Sequence, residues 1–148
     1  MSKTNTHEDG YLKLLFQNVN FANIGDATGL RGSTTAGSLY VALFTAVANG
    51  ETGTVTEVTT GQYSNYARMA VARSAAGWTV LNSVVSNAAE IAFATVASGT
   101  GCTVTYYGIY TAATAGTLIG YGALTSPVSL IVGSTPKFAI NGITITEN

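Results

Sequence analysis

Between Ile91 and Pro136 the chain carries no Asp, Glu, Lys or Arg. A charge-free run of this length normally raises the question of a membrane span, because hydrocarbon rejects charge. Here that reading fails, since Gly, Ser, Thr and Tyr interrupt every apolar stretch, and no window reaches the ~20 continuous apolar residues that a spanning helix needs. The run instead predicts short strands separated by small residues. Their low charge is expected where much of the surface meets other protein.

The rest of the composition points the same way. The chain has 148 residues, about the length of one domain, enough to bury roughly 68–70% of its unfolded surface without metals or disulfides. Charged residues make up 9% of it, against about 25% in ordinary soluble proteins. Neutral hydroxyls and amides fill the deficit, and such a surface is cheap to desolvate against a neighbour. Assembly is therefore expected, homo-oligomers included. Lys3, Lys13, Arg31, Arg68, Arg73 and Lys137 are scattered and the net charge is −1, so no basic stripe exists to hold nucleic acid. Cys102 is single, which rules out an internal disulfide framework and predicts a buried structural thiol. Leu12-Lys13-Leu14-Leu15-Phe16 is too short for a secretory h-region, so synthesis and initial residence in the cytoplasm are expected.

Along the chain, one helix opens the sequence. Thr6 has capping-box spacing to Asp9, and Glu8 and Asp9 sit where the helix dipole favours negative charge. Leu12, Leu15, Phe16 and Val19 fall at i, i+3, i+4 and i+7 and form one apolar stripe. Gly10 is expected to weaken the first turn by about 1 kcal/mol relative to Ala. Two destinations are open for this helix: its own sheet, or a neighbouring subunit reached as an arm.

Residues 25–37 read as a Gly-rich loop. Strands follow: Ser38–Ala46, apolar on both faces and so expected to be central; Thr54–Val58; Tyr66–Arg73; Trp78–Leu81; Val84–Ser86; Glu90–Ala94; the pair Thr103–Thr111 and Thr117–Thr125; and Val128–Val132. Phe138–Ile140 and Ile143–Thr146 flank Asn141-Gly142, which predicts a type I′ hairpin. About nine short strands and no second helical period predict an all-β fold, a β-sandwich of jelly-roll or immunoglobulin-like type, with a β-barrel as the alternative. A single domain over 1–148 is expected, with a helical arm at 1–24, the loop at 25–37 and the sandwich at 38–148.

Candidate chemistry is sparse. His7 is the only histidine and lies near the start of the helix. No H-x-x-x-H, C-x-x-C, calcium loop, phosphate loop or nucleophile elbow occurs. No catalytic residue, metal ligand or cofactor is therefore expected. Glu51 and Glu57 fall in a loop region, and Glu90 is expected to pair with Arg68 or Arg73. The glycines of Gly120-Tyr121-Gly122 are expected to admit a large side chain packed across the sheet. Tyr63, Tyr66, Tyr106 and Tyr110 could fill cores and seams or form a surface that stacks carbohydrate.

Several segments taken in order resemble one family of small tailed-bacteriophage virion proteins, variously tail-fibre-like or capsid-decorating. They are Ser38-Leu39-Tyr40-Val41-Ala42-Leu43-Phe44-Thr45, Tyr66-Ala67-Arg68-Met69-Ala70-Val71, Trp78, and Asn87-Ala88-Ala89-Glu90-Ile91-Ala92-Phe93. Tyr107-Gly108-Ile109-Tyr110-Thr111-Ala112-Ala113, Gly116-Thr117-Leu118 and Tyr121-Gly122-Ala123-Leu124-Thr125 continue the likeness, which runs from about Leu12 to the C-terminus. The resemblance implies a non-enzymatic structural protein of the virion. With no repeats or heptads to build a shaft, the first expectation is a capsid decoration (cement) protein that stabilises the shell against the major capsid protein. The alternative is a tail-fibre or tail-tip component that binds a host-surface carbohydrate. Leu12, Leu15, Phe16, Val19 and Arg31 are the expected interface, and neither nucleic acid nor membrane is an expected partner.

Overall fold

The computed structural model describes residues 3–147. In chain order the elements are α1 (Asn5–Gln17), β1 (Ser38–Asn49), β2 (Thr54–Glu57), β3 (Met69–Ala72), β4 (Trp78–Leu81), β5 (Val84–Asn87), β6 (Ile91–Ala92), β7 (Cys102–Tyr110), β8 (Leu118–Leu130), β9 (Lys137–Phe138) and β10 (Thr144–Thr146). The fold is all-β with one short N-terminal helix. Its sheets are antiparallel in every pairing with a resolved register. They remain open, with no closed barrel among the described residues. The chain forms two compact units, each built from non-contiguous segments: residues 1–38, 71–90 and 139–148, and residues 39–70 and 91–138.

In the first unit α1 packs on a three-stranded sheet of order β10-β5-β4. Leu12 and Phe16 are each 1% exposed, and the Phe16 ring meets Trp78 edge-on at 5.1 Å. Gln17 Nε2 donates to the Trp78 carbonyl at 2.7 Å. The helix begins two residues earlier than the capping box predicts. Thr4 is the N-cap, without a side-chain cap bond, and Thr6 is helical. Asp9 is used at longer range, its Oδ1 accepting the Ser83 N–H at 2.6 Å. Gly10 also has a packing role, since a Cβ there would lie 2.6 Å from the Phe21 ring.

The helix ends at Asn18 in the left-handed region, so Val19 lies beyond it. No cation stands in the last turn, and Arg73 supplies one from the chain between β3 and β4. Its Nε donates to the Leu15 carbonyl (2.7 Å), Nη2 to Leu14 (2.9 Å), and Nη1 to Ala36 (3.1 Å) and Ser33 Oγ (3.2 Å). The orphan carbonyls at a helix C-terminus favour such a positive group.

Two turns depart from expectation. β4 and β5 pair in register from Leu81↔Val84, leaving Asn82-Ser83 as a two-residue loop with both φ positive (52° and 64°). This is the condition for a type I′ hairpin. Asn141-Gly142 does not join a hairpin. Of the two strands it was expected to connect, β9 pairs with β6, and β10 pairs with β5. Only Asn141 of the dipeptide has a positive φ (60°). The physical cause is Asn87, fully buried. Its Nδ2 donates to the Ala89 and Ala139 carbonyls (2.7 and 2.8 Å), and its Oδ1 accepts the Ile143 N–H (2.8 Å). Its own carbonyl accepts the Asn141 N–H at 3.0 Å. These bonds draw the 139–143 turn onto the end of β5.

The second unit holds a sheet of order β2-β1-β7-β8, with β3 pairing β1 off that path. Leu39 and the run Val41–Phe44 are buried, so β1 is covered on both faces as its apolar alternation predicts. On one face Phe44 lies over Gly108, where a Cβ would be 2.4 Å from its ring, and meets Tyr110 edge-on. On the other face the β6–β9 ribbon covers the sheet, with Phe138 edge-on to Tyr107 at 5.4 Å. The result is a two-layer sandwich. Gly122 admits the Tyr107 ring, since a Cβ there would come within 2.5 Å of its hydroxyl. β8 absorbs two predicted strands. Its register to β7 shifts between Val104↔Val128 and Tyr106↔Ala123, so Leu124–Pro127 bulge opposite Thr105. Pro127, which cannot donate to a ladder, sits in that bulge.

Arg73→Met keeps the aliphatic stem and leaves the Leu14 and Leu15 carbonyls without their cation. Urea unfolding at pH 7 should show a loss of about 2–3 kcal/mol, a smaller loss for Arg73→Lys, and a change within about 0.5 kcal/mol for the exposed Arg31→Met.

Candidate functional site

Polar side chains concentrate in the second unit where β2 ends. Arg68 makes a fork-to-fork pair with Glu57, Nε to Oε1 at 2.9 Å and Nη2 to Oε2 at 2.7 Å. Its Nη1 reaches the Ala112 and Ala115 carbonyls at 3.0 and 2.7 Å, and its guanidinium lies 3.5 Å from the centre of the Tyr110 ring. Tyr66 Oη donates to Glu57 Oε1 (2.8 Å) and accepts the N–H of Leu43 (3.0 Å), a buried residue of β1. Burial holds the Tyr66 phenol far above its ordinary range, and the facing Glu57 carboxylate adds to this. The pair with Glu57 raises Arg68 in turn.

These groups face one another and the backbone. The clamp ties the β7–β8 turn, residues 111–117, to the end of β2. An open cleft beside it is lined by Thr59, Thr60, Ala113 and Thr114. The partner of Arg68 is thus Glu57 and those of Arg73 are backbone carbonyls and Ser33; neither is Glu90.

Other candidates for chemistry are placed in structural roles. The His7 ring lies edge-on to Phe21 at 5.0 Å. Cys102 is half-buried, and burial pushes its thiol up, away from the reactive thiolate. Among the described residues no group of three His, Cys, Asp or Glu is placed to hold a metal ion, and no helix is long and apolar enough to cross a membrane.

The expected interface stripe is divided. Leu12 and Phe16 are buried inside the first unit, Leu15 is half-buried, and Val19 and Arg31 are exposed. A docking arm built on Leu12 and Phe16 would have to break that core. The expected aromatic surface is also divided. Tyr63 and Tyr110 are buried, Tyr66 stacks on Phe93 with rings 8° from parallel, and Tyr106 is half-buried. Glu57 and Arg68 bring Tyr66 and Tyr110 together as parts of the clamp, and no shared solvent-facing platform results.

The exposed apolar groups of this unit lie on and beside β8 instead. β8 is the last strand of its sheet, hydrogen-bonded to β7 on one side. Tyr121, Val128, Ile131 and Val132 are 40%, 43%, 63% and 60% exposed. Tyr121 packs against Gly50, where a Cβ would come within 1.9 Å of its ring. The signal that could have located this surface was the charge-free run itself, because natural edges are usually guarded by Lys or Glu and β8 has neither.

Residues 3–146 match the family model described as podophage GP4 fiber I protein gp80. No curated protein matches the chain.

Tyr66 gives the clamp a pH signature. Below about pH 10 its phenol is protonated in both folded and unfolded chains and contributes no pH dependence. Above that, the unfolded chain ionises while the folded phenol keeps its proton, so stability falls as pH rises. In urea unfolding at pH 9, 10 and 11, Tyr66→Phe should flatten that fall by up to about 1.4 kcal/mol per pH unit. At pH 7 the same variant should lose about 1–3 kcal/mol, because the buried Leu43 N–H loses its acceptor.

Proposed function

The chain belongs to the podophage GP4 fiber I protein gp80 family, and from that premise we propose that it is a fibre component of the tail, held in the particle by protein contacts and performing no covalent chemistry. A fibre-type structural role in a phage virion follows from the family. The observation that carries it is the family match over nearly the whole chain, joined to a surface whose one strongly ionic cluster in the second unit, around Arg68, is turned inward on the chain's own backbone.

Attachment in this reading works by shape and burial. A neutral, hydroxyl-rich strand edge loses little hydration free energy when covered, and its contact with another virion protein adds stability by mass action without chemistry. Because few charges take part, attachment should vary little with ionic strength. Capsid decoration uses the same physics and differs in location, so location is the discriminating measurement.

Gold-labelled antibody against this chain should mark the tail of the parent particle, and should mark it equally after washing at about 1 M salt, where the screening length falls to about 3 Å. Label spread across the icosahedral shell would favour capsid decoration instead. Immediate release by the salt wash would refute attachment through a neutral surface.

A further inference from the structure

We propose that Asn49 is a site of spontaneous modification on the folded chain, closing to a cyclic imide on the Gly50 nitrogen and opening to aspartyl and isoaspartyl forms, while the fold protects the second Asn-Gly pair. Asparagine is among the chemically labile residues, and its side-chain carbonyl is open to attack by the main-chain nitrogen of the residue that follows. A small successor leaves that nitrogen unhindered. Four asparagines are followed by Gly, Ala or Ser: Asn49-Gly50, Asn82-Ser83, Asn87-Ala88 and Asn141-Gly142. What separates them is whether the attacking N–H is already bonded.

Three of the four are tied. The Ser83 N–H donates to Asp9 Oδ1 at 2.6 Å, the Ala88 N–H to the Gly77 carbonyl at 2.9 Å, and the Gly142 N–H to the Ala139 carbonyl at 2.9 Å. Asn141 is held further by its own N–H, which donates to the Asn87 carbonyl at 3.0 Å. Among the described residues no acceptor takes the Gly50 N–H. Activation of the carbonyl does not distinguish the two Asn-Gly pairs. Asn141 Oδ1 accepts the Ser86 hydroxyl at 2.8 Å, and Asn49 Oδ1 accepts the Thr52 N–H at 3.3 Å. In each pair a donor on that oxygen stabilises the charge that develops there on attack. The Thr52 bond also folds the exposed Asn49 carboxamide back over the turn that contains Gly50.

The reaction consumes only water. The Gly50 nitrogen gives its proton to solvent base and bonds to Asn49 Cγ, the Cγ–Nδ2 bond breaks, and ammonia leaves. Water then adds to either imide carbonyl and breaks that carbon's bond to the nitrogen, leaving one carboxylate and no change in oxidation state. Opening at one carbonyl restores the main chain. Opening at the other routes the main chain through the former side chain and lengthens it by a methylene. Either product sets a new negative charge beside the exposed Glu51, where the Tyr121 ring of β8 packs on Gly50. A hollow lined by Gly50, Glu51, Leu118 and Tyr121 opens to solvent there, so water reaches the imide. The modification therefore gives a nearly neutral surface a charge that grows with age.

This inference is independent of where the chain sits in a particle, and it is tested on the isolated full chain. The protein is incubated in mildly alkaline buffer, folded and in parallel unfolded in guanidinium chloride, and its peptides are followed by mass spectrometry. In the folded chain Asn49 should convert at least about tenfold faster than Asn141, the ratio expected when hydrogen bonds of ordinary strength must open before attack. In the unfolded chain, where both pairs have the same free successor, the two rates should converge. In water enriched in heavy oxygen, the label should enter the converted Asn49 peptide. Asn49→Gln should remove the main acidic species that isoelectric focusing shows on ageing, with circular dichroism unchanged. Equal or faster conversion at Asn141 in the folded chain would overturn the proposal. So would a folded Asn49 that stays intact while the unfolded chain converts, or a preference for Asn49 that persists after unfolding.

Discussion

Backbone carbonyls that secondary structure leaves unpaired must find donors, and in a chain with few charges that demand falls on a few side chains. Arg73 takes the carbonyls of Leu14, Leu15 and Ala36 in the first unit, and Arg68 those of Ala112 and Ala115 in the second. Asn87 does the same with an amide, bonding two carbonyls and one N–H while fully buried. Each ties segments distant in sequence, and each would leave several carbonyls without that donor if removed. A guanidinium suits this work because its donors are fixed in one plane and can serve several acceptors at once.

Within the second unit the complementary constraint is steric. The sheet has aromatic side chains lying flat across its neighbours' backbones, and this needs positions without a Cβ. Gly108 accepts the Phe44 ring and Gly122 accepts Tyr107, each with no room for a methyl group. Tyrosines for which the sequence leaves both a core and a binding-platform role open are thereby drawn into the fold. The cation of Arg68 over Tyr110 continues the same pattern, linking the aromatic layer to the polar clamp. The surface left for partners is consequently aliphatic, hydroxyl-rich and neutral, which fits a structural component of a particle better than a reactive site.

Turn chemistry shows where local reading succeeds and where it is overruled. The β7–β8 hairpin was legible because two clear strands flank a polar turn, and the structure closes it with Ala115 and Gly116 at positive φ. Asn141-Gly142 carries the stronger local signal, yet its flanking strands join different sheets, because Asn87 binds the intervening backbone. Asn82-Ser83 carries a weaker signal and forms the tight hairpin, its turn held by Asp9 from the helix. In both cases a polar side chain remote in sequence, the fully buried Asn87 or the half-buried Asp9, bonds the backbone of the turn and overrides its local signal.

What the sequence by itself determined was the class of answer. Alternation, turn residues and the lack of a second helical period specify an all-β sandwich with one helix, because side-chain period and backbone conformation are local properties. The family resemblance was legible for the same reason, residing in ordered strand and turn segments. Only the tertiary structure decided which apolar groups remain outside. Leu12, Phe16, Tyr63 and Tyr110 went into cores, while Val128, Ile131 and Val132 stayed on the edge. Burial is a property of what packs against a residue, and neither hydrophobicity nor spacing along the chain contains that partner.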